Sequence, residues 1–211
     1  MQPEVVVLST GFKTPAAIAE RCKASVRRQS IDALHIYIDA AKYGGTAAEN
    51  RFDIINKLDP ATIVAEVDCD DYLACYDAIA KVVYAHTMGA WLTYGQFVYD
   101  DYSPGWARPW PKGANPRDVS WFATHLKTYR AGLFQQIKES DLRKPDGSWC
   151  EHAIDNLLMM PMLEMAGPDR SHYVSDVLYV YSGRGTDVAS MAEAVRIRAK
   201  PPYPRLEQRP W

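Results

Sequence analysis

The stretch Thr62-Ile63-Val64-Ala65-Glu66-Val67-Asp68-Cys69-Asp70-Asp71 runs from a strand pattern directly into three carboxylates. Its apolar half follows the turn Asp59-Pro60 and has the short, continuous pattern of a buried parallel strand. In open α/β sheets, ligands gather at the carboxyl ends of the strands, so this cluster stands where chemistry is done. Asp68, Asp70 and Asp71 repel one another at such spacing. A hard divalent cation, Mg²⁺ or Mn²⁺, removes that repulsion and completes its shell with water and phosphate oxygens. The pattern therefore points to a metal-bridged diphosphate. The competing reading is a solvated loop in which Asp71 caps the next helix.

Outward from this strand the first half alternates strands and helices. Glu4 to Thr10 reads as a first strand, and Thr14-Pro15 opens a helix to about Gln29. Leu34 to Asp39 is a second strand ending on a carboxylate. Gly44-Gly45-Thr46 precedes a helix from Ala47 to about Lys57. A helix over Leu73 to Gly89 and a strand over Trp91 to Phe97 come next. The alternation predicts an α/β fold with a central, mostly parallel sheet flanked by helices. Tyr99 to Asp118 holds four prolines and two tryptophans without either period, the mark of a long functional loop. His125 to Arg130 reads as a strand, Ala131 to Ile137 as a short helix and Pro145-Asp146-Gly147 as a turn. His152 to Ala166 is a helix despite Pro161, stopped by Gly167. Tyr173 to Tyr181 is the last strand and Thr186 to Ala199 the last helix. The expected organisation is one domain over 1–200 and a Pro-rich arm over 201–211.

Composition narrows the class. The 211 residues are 47% hydrophobic and 24% charged, with a formal net charge of -2, as in an ordinary globular domain. Such balance argues against broad electrostatic binding to nucleic acid or anionic membrane. Cys22, Cys69, Cys75 and Cys150 form no CxxC pair, so reduced thiols are expected. No segment has the pattern of a signal peptide or the length of a membrane span, and a cytoplasmic location is expected. After the first strand Ser9-Thr10-Gly11-Phe12 carries neither GxGxxG nor GxxxxGK[ST], and no GxSxG occurs. These absences disfavour a dinucleotide-binding dehydrogenase, a P-loop kinase and a serine hydrolase.

Taken in order, the residues resemble a family. Cys22 with Ser25-Val26 and Arg28-Gln29, Ile36-Tyr37-Ile38-Asp39, and above all Val67-Asp68-Cys69-Asp70-Asp71-Tyr72-Leu73 resemble the GT-A glycosyltransferases, particularly glycosyltransferase family 2. Thr124 to Arg130 with Leu133-Phe134, and Asp155 through Pro161 to Gly167, extend the resemblance over roughly the first 180 residues. It implies a GT-A (Rossmann-like) domain and an inverting, metal-dependent transfer from a nucleotide-sugar, a UDP-sugar, to an acceptor hydroxyl. It implies Mn²⁺ or Mg²⁺ on Asp70 and Asp68, with His172 completing the shell if the last strand returns to the cluster. Thr10, Asp39, Asp68, Asp71 and Arg130 are then nucleotide-sugar contacts. Asp155 is the candidate general base, with Glu151 in reserve. Lys127 is a second cationic candidate, and Trp106, Trp110 and Trp121 offer an acceptor platform. The acceptor is a glycan, a small molecule or, less in keeping with the charge, a modified nucleic acid. A sugar nucleotidyltransferase and a non-catalytic nucleotide-sugar or glycan-binding module are the rival functions.

Overall fold

The computed structural model describes residues 5–183 and 188–211. The expected starts of the first strand at Glu4 and of the last helix at Thr186 lie outside the described residues. In chain order the elements are β1 (Val5–Gly11), α1 (Ala16–Arg27), β2 (Leu34–Asp39), α2 (Ala40–Tyr43), α3 (Ala47–Ile55), β3 (Ile63–Glu66), β4 (Tyr72–Leu73) and α4 (Ala78–Thr87). After them come β5 (Leu92–Tyr99), β6 (Lys127–Arg130), α5 (Ala131–Phe134), a 3₁₀ turn (Glu139–Leu142), α6 (Ile154–Ala166), β7 (Ser171–Tyr181) and α7 (Val188–Ala199).

The strands form one sheet in the order β2-β1-β3-β6-β5-β7-β4. β1 pairs in parallel with β2 and β3, and β5 in parallel with β7. β6 runs antiparallel to both β3 and β5, and β4 antiparallel to β7. Parallel neighbours need a crossover, usually helical, whereas the helix-free stretch between β5 and β6 lets the chain return reversed. Alternate residues of the central strands feed two cores. Leu8 and Val64 pack on the side of α3 and α6, and Val5, Val7, Ile63 and Ala65 on the side of α1 and α4. That two-sided burial is why the strands read as unbroken apolar runs.

Local chemistry sets the helix starts. Thr46 accepts from the Glu49 amide while Glu49 reaches back to the Thr46 amide, a complete capping box for α3. α6 accommodates Pro161 in its interior and ends at Gly167, whose φ of 72° favours glycine. The helix expected from Leu73 instead begins at Ala78. Tyr72 and Leu73 are drawn into the sheet opposite Val180 and Tyr179, and the Leu73 amide donates to Ser25 Oγ. The arm over 201–211 lies against the domain. Tyr203 donates from its amide to Glu164 and from its hydroxyl to Asp141, and Trp211 stacks edge-on against Trp91.

A buried relay ties α4 to the sheet. His86 Nδ1 is 3.0 Å from the Ala90 carbonyl, an obligate acceptor, so Nδ1 carries the proton. Nε2 then accepts from Thr128, 2.8 Å away, and Thr128 accepts from Thr93. Burial, helped by the charge of Arg130, lowers His86 to about 3. Because the unfolded chain takes this proton first, the contribution is full above about pH 6.5 and is lost as pH falls toward 3. Replacing His86 by Gln is therefore expected to flatten the pH dependence of unfolding free energy between pH 6.5 and 5 by about 1.4 kcal/mol per pH unit. Urea denaturation of both proteins across that range measures it, and parallel slopes would refute it.

Candidate active site

Two cavities open at the carboxyl ends of the strands and meet at a shared wall. The first, of ≈ 530 Å³, lies over β1, β2 and α3 and is lined by Thr10, Gly11, Ala40, Thr46, Arg51 and Glu151 among others. The second, of ≈ 540 Å³, lies over β5, β7 and α7 and is lined by Tyr99, Trp106, Trp121, His125, Tyr181 and Met191 among others. Asp68, Ile154 and Asp155 line both. Ala153 turns the chain into α6 with φ of 50°, a left-handed conformation that an alanine rarely holds. Asp155 thus enters the junction from the first turn of α6, where the helix dipole favours its ionised form.

Beneath the junction lies a buried set of charges. The antiparallel register sets Glu66 of β3 opposite Lys127 of β6. Glu66 accepts from Arg51 Nε at 3.0 Å and from the Tyr129 hydroxyl, with Lys127 Nζ 3.7 Å away. Arg51 also donates from Nη2 to Asp68 Oδ1 at 3.1 Å. Lys127 pairs with Asp155 Oδ1, and His125 Nε2 stands 3.9 Å from Asp155 Oδ2. Burial opposes ionisation of Asp155, yet Lys127, then His125, outweigh it and bring the carboxyl to about 2. Burial and Lys127 together lower His125 to about 4, against the opposing pull of Asp155, so its imidazole is neutral near pH 7. Its ring stacks on those of Tyr179 and Tyr181.

The three aspartates of the cluster have different surroundings. Asp68 is half-buried against Arg51, and Asp70 is exposed. Asp71 is fully buried, accepting from the Tyr179 hydroxyl at 2.7 Å and the Ser182 amide at 2.7 Å. It therefore ties the turn before β4 to β7, neither capping a helix nor lining either cavity. Its carboxyl is raised by burial and then by the charge of Asp68. Asp70 is likewise raised by desolvation and by Asp68. Among the described residues, no group of three or more His, Cys, Asp or Glu side chains converges on one point. Asp68 and Asp70 offer a pair of hard oxygen donors with mutual repulsion to relieve. Two hard oxygen donors are what Mg²⁺ or Mn²⁺ takes from a protein when other ligands complete its shell, and of the two Asp68 lines both cavities while Asp70 lines neither.

The remaining expectations divide by strand end. Thr10 lines the first cavity at the end of β1. Asp39 Oδ1, at the end of β2, accepts from the amides of Lys13 and Ala41, fixing the loop after β1 and the start of α2. Glu151 is exposed, near Lys144, and lines the first cavity but not the second. Arg130 and His172 are not brought to the site. Arg130 pairs in register with Ile63 at the amino end of β3 and donates to the Ala61 carbonyl. His172 pairs with Thr93 near the start of β7. At about 3.3 Å per residue, that places it roughly 25–30 Å along the strand from the cluster. The last strand does return to the acidic turn, but it does so at Tyr179 and Ser182.

Arg51 and Glu66 join the site without having been expected there. Both carry a legible signal, a charge where the local period demands an apolar side chain. Glu66 interrupts Ile63-Val64-Ala65, and Arg51 shares the buried face of α3 with Ala48 and Ile55.

This sheet order, with its two cavities above an acidic turn, is the GT-A fold. No protein-family model matches the sequence, and no curated protein sequence matches it. Solved structures that share the fold include S. aureus TarS 1-349 in complex with UDP. That pair aligns with a TM-score of 0.61 at 14% identity, over 93% of this chain and 64% of that one. The complex of the same protein with UDP-GlcNAc gives 0.60 at 13% identity, over 93% and 65%. Mannosyltransferase PcManGT from Pyrobaculum calidifontis, in complex with GDP-Man and Mn²⁺, gives 0.52 at 13% identity, over 86% and 57%. The chain thus spans about 60% of the length of the TarS 1-349 chain, and at these identities the likeness is one of fold.

Lys127 is expected to be the strut of the junction. Lys127→Met leaves Glu66 and Asp155 with one fewer buried counter-charge, so a destabilisation of about 3–5 kcal/mol is expected. The Asp155 carboxyl should also rise from about 2, which burial alone favours. Urea unfolding and a carbon-13 titration of Asp155 test both effects, and an unchanged unfolding free energy would contradict them.

Proposed function

We propose that the protein is a nucleotide-sugar-dependent glycosyltransferase that holds its donor in the cavity over β1, β2 and α3 and its acceptor in the cavity over β5, β7 and α7. The observation that carries this reading is the shared wall. Two volumes of molecular size meet at Asp155, an ionised carboxylate. A transfer reaction needs two ligand sites whose reacting ends touch, with a proton acceptor at the contact. UDP and UDP-GlcNAc in TarS, and GDP-Man in PcManGT, support a sugar nucleotide as donor, and a UDP-sugar is our choice.

In this reading Thr10 and the amides after β1 face the nucleotide, while Asp39 holds that loop in place and Asp68 approaches the ribose or metal. Asp68 and Asp70 would hold a divalent cation. Bound there, it would neutralise the charge that develops on the departing diphosphate. Arg51, fixed on Glu66, sets the orientation of Asp68. The acceptor hydroxyl approaches from the other cavity, opposite the leaving group, so configuration is inverted at the sugar carbon. Asp155 Oδ1 is held by Lys127, and Oδ2 faces the cavity side that also carries His125. A base titrating near 7 would have the greatest proton affinity compatible with ionisation. Asp155 is instead held fully ionised, so it takes the proton late, as C–O bond formation acidifies the hydroxyl. Glu151 faces the donor side alone, which favours Asp155 for the role.

Asp155→Asn keeps shape and hydrogen-bonding capacity but cannot take a proton. Transfer is expected to fall by roughly 10²- to 10⁴-fold, with donor affinity nearly unchanged. Glu151→Gln serves as the comparison. The assay is nucleoside diphosphate release in a screen of sugar nucleotides with Mn²⁺ or Mg²⁺. Near-normal transfer by the Asp155 variant would remove it from the mechanism, and binding of every sugar nucleotide without turnover would make the protein a binding module. Asp70→Asn is expected to weaken metal-dependent donor binding without unfolding the chain. Full turnover in excess chelator would exclude the cation's role.

A further inference from the structure

Asp68 lines both cavities, and its position is set at two points. Arg51 holds the carboxylate at 3.1 Å. The main-chain N–H is held by Tyr179, whose hydroxyl oxygen accepts from it at 3.1 Å. That hydroxyl has one hydrogen, which it donates to Asp71 Oδ2 at 2.7 Å. Tyr179 thus joins the first aspartate of the acidic turn to the last, accepting from one and donating to the other. The Asp68 carbonyl closes the turn by accepting from the Asp71 amide at 3.0 Å.

The register of the sheet brings this about. Tyr179 lies opposite Leu73 of β4 and Phe97 of β5, beside the turn that feeds β4. Its side chain is fully buried in the cluster that includes Val67, Phe97 and Leu178. A phenylalanine ring would fill that volume, so packing alone does not call for the hydroxyl. Burying it beside a buried carboxylate is costly unless both are satisfied. The Ser182 amide meets that condition as a second donor to Asp71, at 2.7 Å. Arg21 of α1 ties the same end of β7 to the turn, donating from Nη2 to Ser182 Oγ at 2.8 Å and to the Asp70 carbonyl at 3.1 Å. The face of the Tyr179 ring stacks on His125, with 4.5 Å between centroids, and His125 stands beside Asp155. One side chain therefore braces Asp68 directly and Asp155 through His125.

We propose that Tyr179 is a positioning residue for the transfer site, whose hydroxyl relays Asp71 to the Asp68 main chain and so fixes where the Asp68 carboxylate stands. The role rests on the transfer reading, and it gives Asp71 a part in donor binding without contact with the donor. Without the hydroxyl, the Asp68 N–H and Asp71 Oδ2 each lose a partner, and the turn must shift to satisfy them. Arg51 alone would then hold the carboxylate.

Tyr179→Phe keeps the ring and its stacking and removes the hydroxyl. Affinity for UDP and sugar nucleotides, measured by calorimetry in Mn²⁺, is expected to weaken about tenfold. Donor KM should rise in step while kcat changes far less, because Asp68 meets the donor before any bond breaks. In an Asp68→Asn background the loss on removing the hydroxyl should shrink to within about twofold. Asp71→Asn is the second route should Tyr179→Phe not fold, with the same loss and the same dependence on Asp68. Tyr94→Phe removes a buried hydroxyl that lines neither cavity and should leave affinity unchanged. Near-ultraviolet circular dichroism reports the folding of each variant. Unchanged affinity in the folded Tyr179 variant, or an equal loss in both backgrounds, would overturn the positioning role and leave the transfer reading standing. Full affinity in the Asp68 variant would do the same, and unfolding of both the Tyr179 and Asp71 variants would make the hydroxyl structural. Failure of the unaltered protein to take up any sugar nucleotide would overturn the transfer reading, and the role with it.

Discussion

The pairing of Arg51 and Lys127 with Glu66, Asp68 and Asp155 is the constraint around which this fold is arranged. Taking these charges out of water is expensive unless every partner is in place. Each partner comes from a different element. α3 brings Arg51, β3 brings Glu66 and the turn beyond it, β6 brings Lys127, and α6 brings Asp155. The antiparallel direction of β6 is part of the same requirement, because it sets Lys127 beside Glu66 at the functional end of the sheet. A slip of one residue would turn Lys127 to the opposite face.

The set also divides labour among groups of like charge. Asp71 is consumed by structure, Asp155 is held ionised by Lys127, and Asp68 shares Arg51 with Glu66. Asp70 alone of the acidic turn keeps an exposed side chain. An identical residue type therefore acquires separate tasks from burial and partners alone. His125 gives the same lesson, since its burial and the nearby Lys127 keep it neutral beside a carboxylate.

Much of this could be read in the sequence, and the features that could not be read have identifiable causes. The alternation of apolar runs with capped helical segments marks β1 to β3 and α3 nearly to the residue, and the acidic turn lies at a strand end as its position predicts. The periods say nothing of strand direction, which decided Arg130 and His172. In a parallel β6, Arg130 would have pointed toward the cluster, and the antiparallel strand sends it to the other end. The helix start expected at Leu73 moves to Ala78 because Tyr72 and Leu73 pair with β7, a long-range contact that overrides local preference. Glu66 and Arg51 were visible as charges in apolar positions, but Lys127, the second cation on Glu66, lies more than sixty residues away in the chain, and no short-range pattern connects them.

The shared wall between the two cavities has one more implication, which concerns inheritance. The cavity over β1, β2 and α3 is built from the first half of the chain, apart from Glu151, Ile154 and Asp155, and the second cavity almost wholly from the stretch between Phe97 and Arg198. The two touch through Asp68, Ile154 and Asp155. Changes in the loop after β5 or along α7 can therefore reshape one volume while the other keeps its walls. A lineage built this way can drift in the shape of one cavity while conserving the other, and its relatives need agree with it in only one half of the sequence.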